Sequence, residues 1–418
     1  MSETFVRAPR VNGAWLHSAA IGKVFAALEA GKAEARIVGG AIRNALIDRP
    51  VHEVDIATTA VPEEVMRLAL EAGLGAHPTG IDHGTVTVVA DGVPFEVTTL
   101  RRDVETDGRH AVVAFTTVWQ EDAARRDFTI NALYCGKDGT LYDPVGGLDD
   151  LRKRRVRFIG DAEARIREDY LRILRFFRFS AAYGNGQLDR TGLAAVIALK
   201  DGLSRLSPER VRAEILKLLA ARNAAEVVSA MHESGVLQLA IPTTADPERL
   251  TRLQAIERAL GQPPDALARL AALAVDEPSQ ALSLAQHLRL SNAESEVLQK
   301  AAVIHPALDP ATPEAAARTL LYRLGPDTFY RAVRLAWARS GAAAGDTAWR
   351  IRALLPDRWK APKMPFTGAN VVALGVPPGP PVGSVLKAFE DWWIAQDFTA
   401  DAARQIAKLK ELAASAHS

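Results

Sequence analysis

Residues 37–59 read IVGGAIRNALIDRPVHEVDIATT: an apolar strand closing on Gly39-Gly40, a helical segment carrying Arg43, and a second strand carrying Glu53 and Asp55. Side chains on a strand alternate between faces, so two carboxylates two residues apart point the same way and can share a pair of divalent ions. The first helical turn after Gly39-Gly40 offers backbone N–H groups and a positive dipole end. With no side chains there, a phosphate can approach closely. Together these features suit a metal-bridged triphosphate. The same stretch also fits an ordinary strand-turn-helix unit with two exposed acids, so the surrounding chain has to decide.

Upstream, the apolar spacing predicts an amphipathic helix over Ser18–Glu29 that packs on the first strand. Downstream, Pro62-Glu63-Glu64 has the chemistry of a helix start. Thr85–Val89 alternates as a strand, Asp91-Gly92 signals a tight turn, and Pro94–Leu100 returns. On the returning strand Phe95 and Val97 face one way and Glu96 the other. Glu96 can join Glu53 and Asp55 as a third carboxylate if its strand neighbours theirs; otherwise it is a solvated acid on an edge. The polar stretch 101–114, centred on Asp107-Gly108, reads as a mobile loop. In the following EDAARRDFTINAL, Arg125, Arg126 and Asp127 can contact phosphate or sugar. Residues 134–160 read as a small hairpin carrying Arg152, Lys153, Arg154 and Arg155, a run that is equally a solvated face.

From Asp161 the chain reads as helical almost to its end. In the helix expected over Ala162–Tyr183, Asp169, Arg172 and Arg175 follow at i, i+3 and i+6, which puts Asp169 beside Arg172. A guanidinium fork beside a carboxylate offers donors and acceptors as a nucleobase edge does; an ion pair within the helix is the plainer alternative. The Pro- and Gly-rich residues 356–384 read as a linker to a last helical piece over Ser384–Ala414, where Trp392 and Trp393 are expected in the core.

The chain of 418 residues is 48% apolar and 24% charged, the profile of an ordinary globular protein with room for two to four domains. No apolar run approaches the ~18 residues needed to span a bilayer, and the N-terminus lacks the pattern of a signal peptide. A cytoplasmic location is expected. Cys135, the single cysteine, permits no internal disulfide and no multi-cysteine zinc site. Net charge is +1, but residues 151–183 hold ten Lys or Arg against four acids, beside the proposed catalytic part.

With these motifs in order, the sequence resembles the class II tRNA nucleotidyltransferase and poly(A) polymerase family. The resemblance covers nearly the whole chain and returns at FTGANVVALGVPPGPPVGSVL near the end. It implies an α+β fold, with a polymerase-beta-like nucleotidyltransferase head of mixed sheet and helices followed by an all-α neck, body and tail. The parts would be a catalytic head at 1–160, a neck at 161–240, a body at 241–360 and a tail at 361–418. It further implies that Gly39, Gly40 and Arg43 contact a triphosphate, and that Glu53 and Asp55 hold two Mg2+ ions with Glu96 as the third acid. Asp107–Arg109 would belong to a flexible loop, Arg125, Arg126 and Asp127 would meet the ribose, Asp169 and Arg172 would pair with the incoming base, and Arg175 on the same helix would also contact the nucleotide.

The activity implied is addition of CMP and AMP, from CTP and ATP, to the 3′ end of tRNA. The acceptor stem would lie along the basic strip, with no membrane and no evident protein partner. Rival readings are a poly(A) polymerase, which often carries a basic C-terminal extension where this chain ends ELAASAHS, and a CC-adding enzyme, which would lack the Asp107–Arg109 pattern. Another is a tRNA-binding protein impaired in catalysis, because Glu53 stands where the family has Asp. Asn44 and Asn370 also replace common Asp residues, and Asp48 replaces a usual Gly.

Overall fold

A computed structural model describes residues 10–107, 110–303 and 305–416. The chain divides into two compact units, Met1–Pro242 and Thr243–Ser418. The first is built on a seven-stranded mixed sheet made from β1 (Ala35–Val38), β2 (Asp55–Thr58), β3 (Gly75–Gly80), β4 (Thr85–Ala90), β5 (Val93–Thr99), β8 (Tyr134–Cys135) and β9 (Leu141–Tyr142). Their order is β3-β4-β5-β2-β1-β8-β9. Strands β2 and β5 run parallel, and the other pairs are antiparallel.

The β4–β5 hairpin forms as its alternation predicts, with Asp91 and Gly92 at φ 51° and 77° in the left-handed region that such a turn demands. Helix α1 (Ala19–Ala30) is entered through Ser18, whose hydroxyl accepts from the Ile21 N–H, and buries Ile21, Val24, Phe25 and Leu28. Helices α2 (Gly40–Ala45) and α3 (Pro62–Glu71) complete the opening motif.

Three local expectations are corrected. Glu53 lies outside β2: β1 ends at Val38, which pairs with Asp55, because Gly39 turns the chain into α2 and leaves no strand for the residues before Asp55. Residues 101–114 are no irregular loop but β6 (Arg101–Asp107) and β7 (His110–Phe115), a separate antiparallel pair. Of the flexible-loop pattern Asp107–Arg109, Asp107 ends β6, while Gly108 and Arg109 lie outside the described residues. Third, the hairpin over 134–160 is only β8–β9. Helix α4 (Trp119–Ala124) precedes that hairpin, α5 (Gly147–Arg152) follows it, and the basic run sits where α5 ends.

The expected single helix Ala162–Tyr183 is two, α6 (Ala162–Glu168) and α7 (Leu171–Tyr183). Asp169 between them is extended at φ −153° and ψ 106° and ends α6, and its carboxylate accepts from the Leu171 N–H at 3.0 Å in a local turn that separates the two helices. Helix α8 (Arg190–Leu199) follows, and α9 (Pro208–Leu219) packs on α7.

The second unit is helical throughout its described secondary structure. Its terminal part is more than a linker and one helix. Pro380-Pro381 open the helix Pro380–Ala395, and Val371 and Val376 share a core with Val385, Phe389 and Trp393. Trp393 is buried there and Trp392 packs against the same cluster, as expected. Asn370 completes a capping box with Thr367, accepting its N–H at 2.8 Å. Among the described residues, no helix is long and apolar enough to cross a membrane.

Candidate active site

The β1–α2 turn requires glycine at residue 39, where φ is 73° and ψ −114°. A side chain there would also approach the Asn131 carbonyl at 3.5 Å and Arg126 Nη1 at 3.8 Å, so one guanidinium nitrogen stands over the turn. Next to it, at the end of β2, Asp55 is directly opposite Glu96 of β5 in parallel register. The condition set by the sequence is met: Phe95 and Val97 are buried, and Asp55 and Glu96 are exposed at the same rung.

Surrounding protein and the neighbouring charges of Glu96 and Glu53 push the Asp55 carboxyl above its ordinary value, while Arg126 pulls it back. Glu53 is therefore electrostatically part of the site although it is off the strand. Among the described residues, no three His, Cys, Asp or Glu side chains converge closely enough to make a metal cage unaided. Mg2+ seldom needs one, since it commonly takes one or two carboxylates and completes its shell with water and substrate phosphate. The mutually repelling, oxygen-only donors around Asp55 fit that pattern.

Two arginines define the cationic side. Arg126 is fixed by Asp122, whose Oδ2 accepts from its Nε and Nη2 at 3.2 and 3.0 Å; Tyr134 donates to the same oxygen at 2.7 Å. Burial works against the Arg126 charge, but Asp122 and Tyr134 more than compensate and hold its pKa above the ordinary value. Arg43, 8% exposed, donates to Asn131 Oδ1 and, at 2.7 Å, to the Tyr183 hydroxyl, both neutral groups. Among the described residues its Nε has no hydrogen-bond partner. Burial presses its pKa down, opposed by Tyr183 and Asp127. A guanidinium desolvated without a bonded carboxylate is costly, and an incoming phosphate would relieve that cost.

Asp127 faces inward. It accepts from the Phe128 N–H, from Asn131 Nδ2 and from Arg175 Nε, each at 2.8 Å. Burial alone would raise its pKa, but Arg175 and the hydrogen bonds from Asn131, Arg175 and Phe128 hold it below the usual range. Arg175, expected to touch nucleotide, thus ties α7 to the segment after α4 and also lies 4.0 Å from Glu214 of α9.

Asp169 and Arg172 are not paired with each other. Asp169 takes Arg210 Nη2 at 2.7 Å, and Arg172 pairs with Glu168 at 2.5 Å and donates to the Arg165 carbonyl at 2.8 Å. Of the basic run, Arg155 is committed to fully buried Asp150, which also accepts from Thr129 and Arg157, and Lys153 pairs with Asp149 at 2.8 Å. Arg152 and Arg154 remain exposed. Arg125 is bound to Asp122 at 3.0 Å.

The residues that sequence reasoning missed are Asp122, Asn131, Tyr134 and Tyr183. Asp122 and Asn131 carry a signal, each lying four positions from a residue it holds, Arg126 and Asp127. Tyr183 is 140 positions from Arg43 and carries none.

The Poly A polymerase head domain matches residues 35–157, and a family described as a probable RNA and SrmB-binding site of polymerase A matches 187–246. The mitochondrial CCA tRNA nucleotidyltransferase 1 of Danio rerio is 37% identical over 374 residues, covering 86% of this chain and 83% of the relative. The chain belongs to the CCA-adding tRNA nucleotidyltransferase family. The CCA-adding enzyme of Geobacillus stearothermophilus is 34% identical over 85% of this chain and 87% of its own length. A Bacillus stearothermophilus CCA-adding enzyme solved with CTP superposes with a TM-score of 0.66 at 29% identity, covering 90% of this chain and 93% of that one.

Proposed function

We propose that this chain adds CMP and AMP to the 3′ end of tRNA without a nucleic-acid template, building or repairing its CCA end. The observation that carries the reading is the Asp55–Glu96 rung facing a Gly39 turn that two buried or half-buried arginines flank. Asp55 and Glu53 would hold Mg2+, with Glu96 as the third acid beside them, and the ion when bound would lower the pKa of the attacking hydroxyl and neutralise the departing pyrophosphate. Arg43 and Arg126 bind the triphosphate and keep it in line for attack. Gly39 admits its oxygens to the backbone. Asp127, held ionised, positions Asn131 and with it Arg43. No side-chain nucleophile is required, because phosphoryl transfer is served by positioning and charge neutralisation.

Asp169 and Arg172 read the base, and both must exchange protein partners, Arg210 and Glu168, for the Watson–Crick edge of C or A. We further propose a catalytic head at 1–160, a neck at 161–240, a body at 241–360 and a tail at 361–418 as the working divisions of the chain. Exposed Arg152 and Arg154 contribute to the tRNA surface, whereas Arg155 and Lys153 serve the fold first. A cytoplasmic placement is likewise proposed, on the reducing compartment that a single unpaired cysteine suits.

The test offers tRNA lacking CCA, tRNA ending in CC, and an oligo(A) primer, each with CTP or ATP. CMP addition to the first and a single AMP addition to the second are expected. Long A tracts on the primer would overturn the reading in favour of a poly(A) polymerase.

A further inference from the structure

Helix α7 touches the site at both ends. Arg172 lies in its first turn, Arg175 in its middle bonds Asp127, and its last residue is Tyr183. Over 13 residues the helix spans about 20 Å. Tyr183 receives the Arg43 Nη2 hydrogen bond at 2.7 Å and lies with its ring centroid 3.9 Å from the Arg43 guanidinium carbon. Its own hydroxyl donates onward to Asn44 Oδ1 at 3.3 Å. The ring stacks on Phe179 at 5.6 Å, and Arg49 caps the preceding carbonyl of Ala182 at 2.7 Å, so the tyrosine is clamped from below and behind. Asn44 spends its amide on the Pro50 carbonyl at 3.1 Å, which leaves its oxygen to Tyr183. Arg43 is thus oriented by neutral groups that fix its plane without consuming its charge.

We propose that Tyr183 is a positioning residue for triphosphate binding: through a hydroxyl bond and a face-on ring it presents Arg43 to the phosphates. This rests on the reading of the Gly39–Arg43 turn as the triphosphate site. A guanidinium held over an aromatic face and bonded at one edge loses little freedom when it meets an anion, so the tyrosine acts on affinity rather than on the chemical step. Because CTP and ATP carry the same triphosphate, the tyrosine affects both alike.

The probe is inorganic tripolyphosphate, titrated calorimetrically against the full chain with Mg2+, alongside steady-state addition of CMP and AMP. Tyr183→Phe keeps the ring and should weaken tripolyphosphate about 3- to 10-fold, raising KM for CTP and ATP by the same factor while kcat changes by less than about twofold. Tyr183→Leu removes both contacts and should weaken it further. Wild-type affinity in both variants, or a fall in kcat with unchanged KM, overturns the proposal. Arg43→Ala separates the two levels. If it abolishes tripolyphosphate binding while Tyr183→Phe and Tyr183→Leu bind normally, the site reading stands and the tyrosine's role falls. If Arg43→Ala binds normally, the site reading itself is wrong.

Discussion

Asp55 and Glu96 sit at the same rung of two parallel strands, and each is an acid where the flanking residues Ile56, Phe95 and Val97 are buried. Two carboxylates on one side of one rung repel, and with Glu53 nearby the protein carries an electrostatic cost at this point that a cation would remove.

The first prediction follows from the direction of the Asp55 shift. Below the ordinary carboxylate range Asp55 is neutral folded and unfolded, so it has no effect on stability. As pH rises, the unfolded chain ionises first, and stability falls until the folded carboxyl has also ionised. At neutral pH Asp55→Asn should therefore raise Tm, and the gain should vanish on acidification below the ordinary range. Mg2+ should raise the Tm of the wild type and have little effect on Asp55→Asn. The same substitution should lower CMP incorporation by about 100-fold or more, the scale of losing a group that stabilises transition-state charge.

Glu53 gives a second prediction. Being off β2, its backbone is not held in the strand ladder, so the longer side chain can adjust its reach. Wild type and Glu53→Asp should both incorporate CMP, and Asp55→Ala should not. Incorporation by Glu53→Asp alone would instead make the natural chain a tRNA-binding protein.

These two residues also mark how far the sequence could be read. The hairpin, the Gly-Gly turn and the face shared by Asp55 and Glu96 are local, set by period-two alternation and by left-handed turn residues. Asp48 shows the same legibility: it stands where a Gly is usual, and its φ is 55°. The break at Asp169 was hidden because EDYLR contains no Gly or Pro, and the interruption depends on a carboxylate capping its own backbone and meeting Arg210 from α9. Arg155 read as a surface charge because the burial of Asp150 is tertiary.

A third prediction concerns Asp127 and Arg175. Breaking this largely buried pair by Arg175→Ala leaves the buried carboxylate without its countercharge and should cost about 3 kcal/mol in urea unfolding at neutral pH. Asp127 has its folded pKa depressed, so its contribution is fully present above the ordinary carboxylate range and is lost as pH falls through the folded value. The difference between wild type and Asp127→Asn should accordingly shrink in acid, and an unchanged difference down to the lowest pH at which the chain folds would contradict the assignment.

The last prediction tests base reading. Asp169 and Arg172 are satisfied by Arg210 and Glu168, so on the proposed reading an incoming base would compete with two ion pairs of 2.7 and 2.5 Å. Both pairs are only partly exposed, which makes the exchange a real energetic step and gives the site a way to reject a poor match. UTP, whose Watson–Crick edge presents a different donor and acceptor order from that of CTP, would not repay it. Arg172→Ala and Asp169→Ala should each reduce kcat/KM for CTP and narrow the preference for CTP over UTP by about tenfold or more, as expected when a site that hydrogen-bonds its substrate loses a partner. Arg210→Ala should act in the opposite sense on binding: with Asp169 released beforehand, KM for CTP should fall while discrimination against UTP weakens. Parallel assays with both nucleotides on tRNA lacking CCA measure this, and unchanged discrimination in all three variants would place base selection elsewhere.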